Sequence, residues 1–163
     1  FIFKQLVKMH TWFECKIKYE KVIEEGKTLT VNETYLIDAL SFTEAEKRII
    51  QEMEPYISGD FLVANIRRAR INEIFAHDGG DRWYRCKVFF ISLDEEKSVE
   101  KRTAVTMLVQ ATSVKEAIEV LTSEMKNSLV DYELVSVSET PIMEVYPYVA
   151  EEKKVVQETS NFQ

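Results

Sequence analysis

Glycine is scarce in this chain, with four among 163 residues, alongside three prolines, two cysteines and two histidines. So few glycines argue against a glycine-rich phosphate cradle, and neither a nucleophile elbow nor zinc-ligand spacing is found. Two cysteines cannot build a disulfide framework, which needs dense pairing, so a reducing cytoplasm is the expected setting. No apolar run approaches the roughly 18–20 residues of a membrane span, and no membrane partner is expected. Positive charge is also short: 21 Lys and Arg against 28 Asp and Glu leave a net charge of −7. That balance disfavours a bulk electrostatic grip on DNA, although a local basic strip can overcome the average. The apolar fraction of 45% with 30% charged residues is ordinary for a soluble globular protein.

What the chain does have is a pattern stated twice. Trp12-Phe13-Glu14-Cys15-Lys16 returns 71 positions later as Trp83-Tyr84-Arg85-Cys86-Lys87. Tyr35-Leu36-Ile37-Asp38-Ala39-Leu40-Ser41 answers to Met107-Leu108-Val109-Gln110-Ala111-Thr112-Ser113 at a spacing of 72. The spacing returns to 71 for Asp60-Phe61 against Asp131-Tyr132 and for Phe75 against Tyr146. A period this long exceeds a solenoid unit and suits a duplicated small domain. Each half alone would bury only about 60% of its unfolded surface, which favours two fused halves sharing a core.

Each repeat reads as strand, strand, helix and a closing extended segment. Phe13, Cys15, Ile17 and Tyr19 alternate with Trp12, Glu14, Lys16 and Lys18, and Tyr84, Cys86, Val88 and Phe90 do the same in the second repeat. Period two assigns strands with both cysteines on the apolar face. Polar turns at Glu24-Glu25-Gly26-Lys27 and Asp94-Glu95-Glu96-Lys97 predict antiparallel hairpins. Ser41-Phe42-Thr43-Glu44 and Ser113-Val114-Lys115-Glu116 are S-x-x-E capping boxes. Behind them, Ala45, Ile49 and Met53, and Ala117, Leu121 and Met125, form helical stripes at spacing four. Pro55 ends the first helix near Met53, and Asn127-Ser128 is the expected end of the second. The closing segments, 61–75 and 132–146, lose alternation near Arg67-Arg68-Ala69-Arg70 and Ser138-Glu139-Thr140-Pro141. A bulge or bend there splits each into two short strands. The expectation is an α+β fold: a tandem duplication of a β-β-α-β(β) unit with antiparallel sheets, one helix per repeat and a pseudo-twofold axis. Its divisions are an extension at 1–8, repeat 1 at 9–76, a linker at 77–82 with a Gly79-Gly80 hinge, repeat 2 at 83–148, and a disordered charged tail at 149–163.

Two groups of side chains are candidates for binding. Trp12, Lys16 and Lys18, with Trp83, Arg85 and Lys87, form an aromatic-basic strip on the face away from the helix-packed core. Rings interleaved with cations are what single-stranded nucleic-acid binders use; equally, each tryptophan can cover the other repeat or a partner chain. Arg67, Arg68 and Arg70 are the second group. They read either as a phosphate or acidic-partner site, or as an edge guard with Arg68 approaching Glu139 across the pseudo-twofold axis. His77-Asp78 with Asp81 has the chemistry of a cation site but sits in a glycine turn, where solvation explains it. His10 stands alone, and inward cysteines offer no Cys-His dyad.

Four stretches carry a family resemblance: Met9-His10-Thr11-Trp12-Phe13-Glu14-Cys15-Lys16, the run Tyr35 to Glu46, Asp81-Arg82-Trp83-Tyr84-Arg85-Cys86-Lys87, and Val137 to Tyr148. With these the chain resembles a domain-of-unknown-function family of gut Bacteroidales and their mobile elements. The resemblance implies a cytoplasmic bacterial or phage protein with Met9 as its natural start, and brings no activity, cofactor or catalytic residue. The combined expectation is a non-catalytic binding or assembly module, self-associating or protein-binding, with no catalytic residue, metal or cofactor. Single-stranded nucleic acid is the alternative partner.

Overall fold

The computed structural model describes residues 11–148. The expectations for the extension at 1–8, Met9, His10 and the tail at 149–163 lie outside the described residues. The chain forms β1 (Thr11–Val22), β2 (Thr28–Ala39), α1 (Phe42–Met53), β3 (Phe61–Ala69), β4 (Glu73–Phe75), β5 (Arg82–Asp94), β6 (Val99–Ala111), α2 (Val114–Glu124), β7 (Asp131–Glu139) and β8 (Ile142–Tyr146). Among the described residues the class is α+β, with two helices and two four-stranded sheets. One sheet has the order β3-β1-β2-β8 and the other β4-β6-β5-β7. They belong to two compact units, the first of residues 11–69 with 142–148, the second of residues 70–141.

In the first unit β1 lies between β2 and β3, antiparallel to both, with Cys15 opposite Tyr35 and Ile66. Phe13, Cys15 and Ile17 are buried on one face of β1, and α1 packs over that face. Ala45, Ile49 and Met53 supply the helix stripe of this core. The second unit repeats the logic: Tyr84, Cys86 and Val88 on β5 are buried against Ala117, Leu121 and Met125. Both outer strands carry a bulge at the matching step, between Lys16 and Ile17 and between Lys87 and Val88. The residues skipped are Ala64 and Val135, which bend these edge strands.

Both helices start where the capping boxes predict. Ser41 Oγ accepts from the Glu44 amide at 3.2 Å, and Ser113 Oγ from the Glu116 amide at 3.1 Å. Glu116 reaches back to the amide and hydroxyl of Thr112, one residue before the cap. The first helix stops at Met53, two residues before Pro55. The second stops at Glu124, a turn earlier than Asn127-Ser128 suggested, with Met125 still buried as its C-cap. Replacing either serine by alanine orphans a helix-terminal amide and should cost about 1 kcal/mol. Urea titrations of Ser41→Ala and Ser113→Ala test this; midpoints unchanged at both sites would remove the caps from the account.

The sheets correct one expectation. They are mixed, not antiparallel: β8 pairs in parallel with β2, and β4 in parallel with β6. The closing segments do split in two, at residues 70–72 and 140–141. However, β3 and β4 lie in different sheets, and so do β7 and β8. Pro141 lacks the amide a continuing strand needs. Thr140 ends β7 by donating both its amide and its hydroxyl to the Trp83 carbonyl, at 2.9 and 2.8 Å. Asn72 docks onto β6 in the same spirit, exchanging bonds with the Thr106 backbone at 2.8 and 2.9 Å. The segment expected to act as a glycine hinge is pinned. Gln110 accepts from the His77 amide at 3.1 Å and donates to the Gly80 carbonyl at 3.0 Å.

Candidate functional site

The aromatic-basic strip is only partly displayed. Lys16 and Lys18 on β1 and Lys87 on β5 are exposed, Trp12 and Arg85 are half-buried, and Trp83 is 4% exposed. The reading of both tryptophans as open stacking platforms is therefore corrected at Trp83. An indole is the largest apolar side chain available, and enclosing it removes much area from water. Lys87 lies over the Phe89 ring at 5.5 Å.

The three arginines do not form one cluster. Arg67 faces Glu14 across the β1–β3 pair and bonds its carboxylate, with Arg67 Nη2 to Glu14 Oε2 at 2.6 Å. Arg68 points to the opposite face and stacks on Phe42 at 5.4 Å. Arg70 lies beyond β3, exposed, and belongs to the second unit. Glu139, expected near Arg68, has its carboxylate 3.7 Å from Arg82. His77 sits 3.6 Å from Glu116. Among the described residues no group of three or more His, Cys, Asp or Glu side chains is placed to hold a metal ion.

Both cysteines lie at the centre of their cores, fully buried and free. Burial, reinforced at Cys15 by the Glu14 charge, pushes its thiol up to about 12. Burial alone pushes Cys86 up to about 11. Near pH 7 both are neutral thiols and behave as small apolar groups.

One polar group escaped the sequence reading. Glu33 lies on the core-facing side of β2, the Cα partner of Ile17. Its carboxylate accepts from the Tyr19 hydroxyl at 2.6 Å through one oxygen and from the Tyr35 hydroxyl through the other. Tyr146 stacks on Tyr35 with ring centroids 6.1 Å apart. The hydrogen bond to Glu33 raises the Tyr19 phenol above its ordinary value, whereas Tyr35 is raised first by burial and then by Glu33. Burial also pushes Tyr146 up to about 12, helped by the Glu52 charge. A signal for this group was present: a glutamate stands in the apolar phase of β2. In the second unit the same register positions hold Phe90, Val105 and Met107, all apolar, with Val105 opposite Val88 and Met107 opposite Cys86.

Tyr19 also lines an open groove of about 680 Å³ at one end of the first unit. There β1 runs on to Val22, while its last pairing with β3 is Tyr19 opposite Phe61. Residues 20–22 thus have no strand partner on the β3 side among the described residues. Val22 and Leu62, at the rims, are 72% and 61% exposed. Lys18, Glu20 and Asp60 are the charged side chains of the lining.

The family described as Domain of unknown function (DUF4494) matches residues 11–148. No curated protein and no solved structure matches the chain.

Proposed function

Because the chain belongs to the DUF4494 family, whose description carries no activity, we propose a function from its own surface: a non-catalytic binding module that takes an extended protein segment in the groove of its first unit. The observation that carries this reading is the unpaired edge of β1 at residues 20–22, flanked by exposed Val22 and Leu62. An extended segment satisfies such an edge by adding a strand, while apolar rims supply the side-chain contacts. The segment belongs to a second copy of the chain or to another protein. The nucleic-acid alternative is less well supported, since Trp83 is enclosed and Arg67 is neutralised by Glu14. The setting is the cytoplasm, which suits two free, buried thiols.

We also read the two units as products of tandem duplication. The matching strand orders, the matching bulges and the paired Ser41 and Ser113 caps support this. Superposing residues 12–75 on 83–146 tests it, and large deviations in the hairpins and helices would count against it.

Panning a library of displayed extended peptides against the full chain tests the binding function. Enriched peptides are expected to lose binding to Leu62→Asp and Val22→Asp, both solvent-exposed positions, and to keep it with Leu93→Asp in the second unit. Light scattering then separates self-association from capture of another protein. No enrichment, or peptides indifferent to Leu62→Asp and Val22→Asp, would overturn the groove as a binding site.

A further inference from the structure

Resting on the reading of this groove as a protein-binding site, we propose that it takes the N-terminal end of a partner protein. The free α-ammonium group seats against Asp60, and the residues after it run parallel to β1. The lane beside residues 20–22 is closed at one end. β3 begins at Phe61, opposite Tyr19, and fills the lane from there inward. Asp60, the residue before it, stands at that closed end and belongs to the groove lining. A segment of three or four residues exhausts the free edge, since each strand residue spans about 3.3 Å. A chain end fits such a lane as it is, whereas a through-running segment must turn out of the sheet at Asp60.

Charge selects which chain end. Lys18 and Glu20 share the outer face of β1 and offset one another, and Lys18 lies opposite Leu62, beside β3 and not beside the free lane. Asp60 is exposed and, among the described residues, forms no hydrogen bond or ion pair. A carboxylate terminus entering the lane meets a like charge there, while an ammonium meets an opposite one. The choice of end fixes the direction: with its N-terminus at Asp60, the segment runs as β1 does. Parallel strands this short already occur in the fold, because β4 pairs with β6 through Glu73, Ile74 and Phe75.

The same stretch disfavours a second copy of the chain as the occupant. Two copies paired antiparallel about a twofold axis at residue 20 set Glu20 against Glu20, and at residue 21 they set Lys21 against Lys21. An axis at residue 22 sets Glu20 against Glu24. Like charges directly opposite each other are destabilising. The second unit lacks the anchor. Its counterpart of Asp60, Asp131, is inside β7 and paired with Ile91, so the residue at the end of that lane is Val130. In the first unit Val22 and Leu62, exposed on the same outer face, offer apolar contact to alternate side chains of the segment.

The full chain is titrated with Val-Thr-Val-Thr-Gly-Lys-amide, its α-amino group free and fluorescein on the lysine side chain, and with the N-acetylated twin. A third probe, fluorescein-Gly-Thr-Val-Thr-Val, ends in a free carboxylate. Fluorescence anisotropy should give about fivefold tighter binding for the free amine than for its acetylated twin. Asp60→Asn should bring the free amine to the acetylated level and leave the acetylated peptide unchanged. Asp60→Glu, which keeps the charge, and Asp131→Asn in the second unit should both preserve the preference. Equal affinities for amine and acetylated peptides in the unaltered chain overturn the inference, as does a preference that survives Asp60→Asn or tighter binding of the carboxylate probe. So does groove binding by panned peptides that is undiminished after N-acetylation, an outcome that leaves the binding module standing. If no peptide binds the groove, both readings fall together.

Discussion

Phe13→Ala lowers the unfolding free energy by about 3–5 kcal/mol, as expected for truncating a fully buried aromatic ring. Phe13 is 1% exposed on β1, in a core with Cys15, Ile37, Ala45 and Ile49. Its ring edge also meets Phe42 with centroids 4.9 Å apart at 66°, a geometry that adds about 0.5–1.5 kcal/mol beyond burial. The cavity cannot close readily, because β1 is held on both sides by β2 and β3. A domain with about 5–15 kcal/mol in hand loses a large share of it. Urea denaturation followed by circular dichroism checks the value, with Phe42→Ala as a comparison that removes the edge contact from a 44% exposed ring. A loss below about 1 kcal/mol for Phe13→Ala would mean that this core is not packed as described.

Gly80→Ala is the second large effect, and its cause is steric. A methyl group at Gly80 would stand 2.7 Å from the Ala111 amide nitrogen and 2.9 Å from its Cα. Those are backbone atoms of β6, where Ala111 is paired with Arg82 of β5. Overpacking of this kind costs about 1–3 kcal/mol. Displacing the turn also breaks the Gln110 bonds to His77 and Gly80, about 1 kcal/mol each. Gly79 is the informative control. It has open space around its Cα but φ of +88°, so Gly79→Ala should lose about 1–2 kcal/mol through backbone strain alone. Thermal unfolding of the two variants compares them. If Gly79→Ala proves the more damaging, the turn is free to move away from β6 and the pinning by Gln110 is unimportant.

Local features were readable in the sequence because their causes are local. Ser41 and Ser113 announce their helices, since an N-cap needs only a side-chain oxygen and the amide three residues on. Period two put Cys15 and Cys86 inside, and spacing four put Ile49 and Leu121 against them. The candidate site was much less legible. Trp12 and Trp83 occupy the same phase of equivalent strands, yet one is half-buried and the other enclosed. Alternation says which face a residue takes and is silent on what covers that face. Arg67, Arg68 and Arg70 sit together in the chain, but the strand sends the first two to opposite faces and the third lies past its end.

By itself, then, the amino-acid order determined the α+β class, both hairpins, both capped helices and the apolar face of each hairpin strand. All of these depend on contacts within a few residues or on a simple period. Only the tertiary structure decided that β8 joins β2 and β4 joins β6, each in parallel. It alone brought Tyr19, Glu33 and Tyr35 onto one carboxylate from two strands. The physical reason is the same in both cases: pairing across strands depends on register and on which edge is free, and neither is encoded in the periodicity of a single segment.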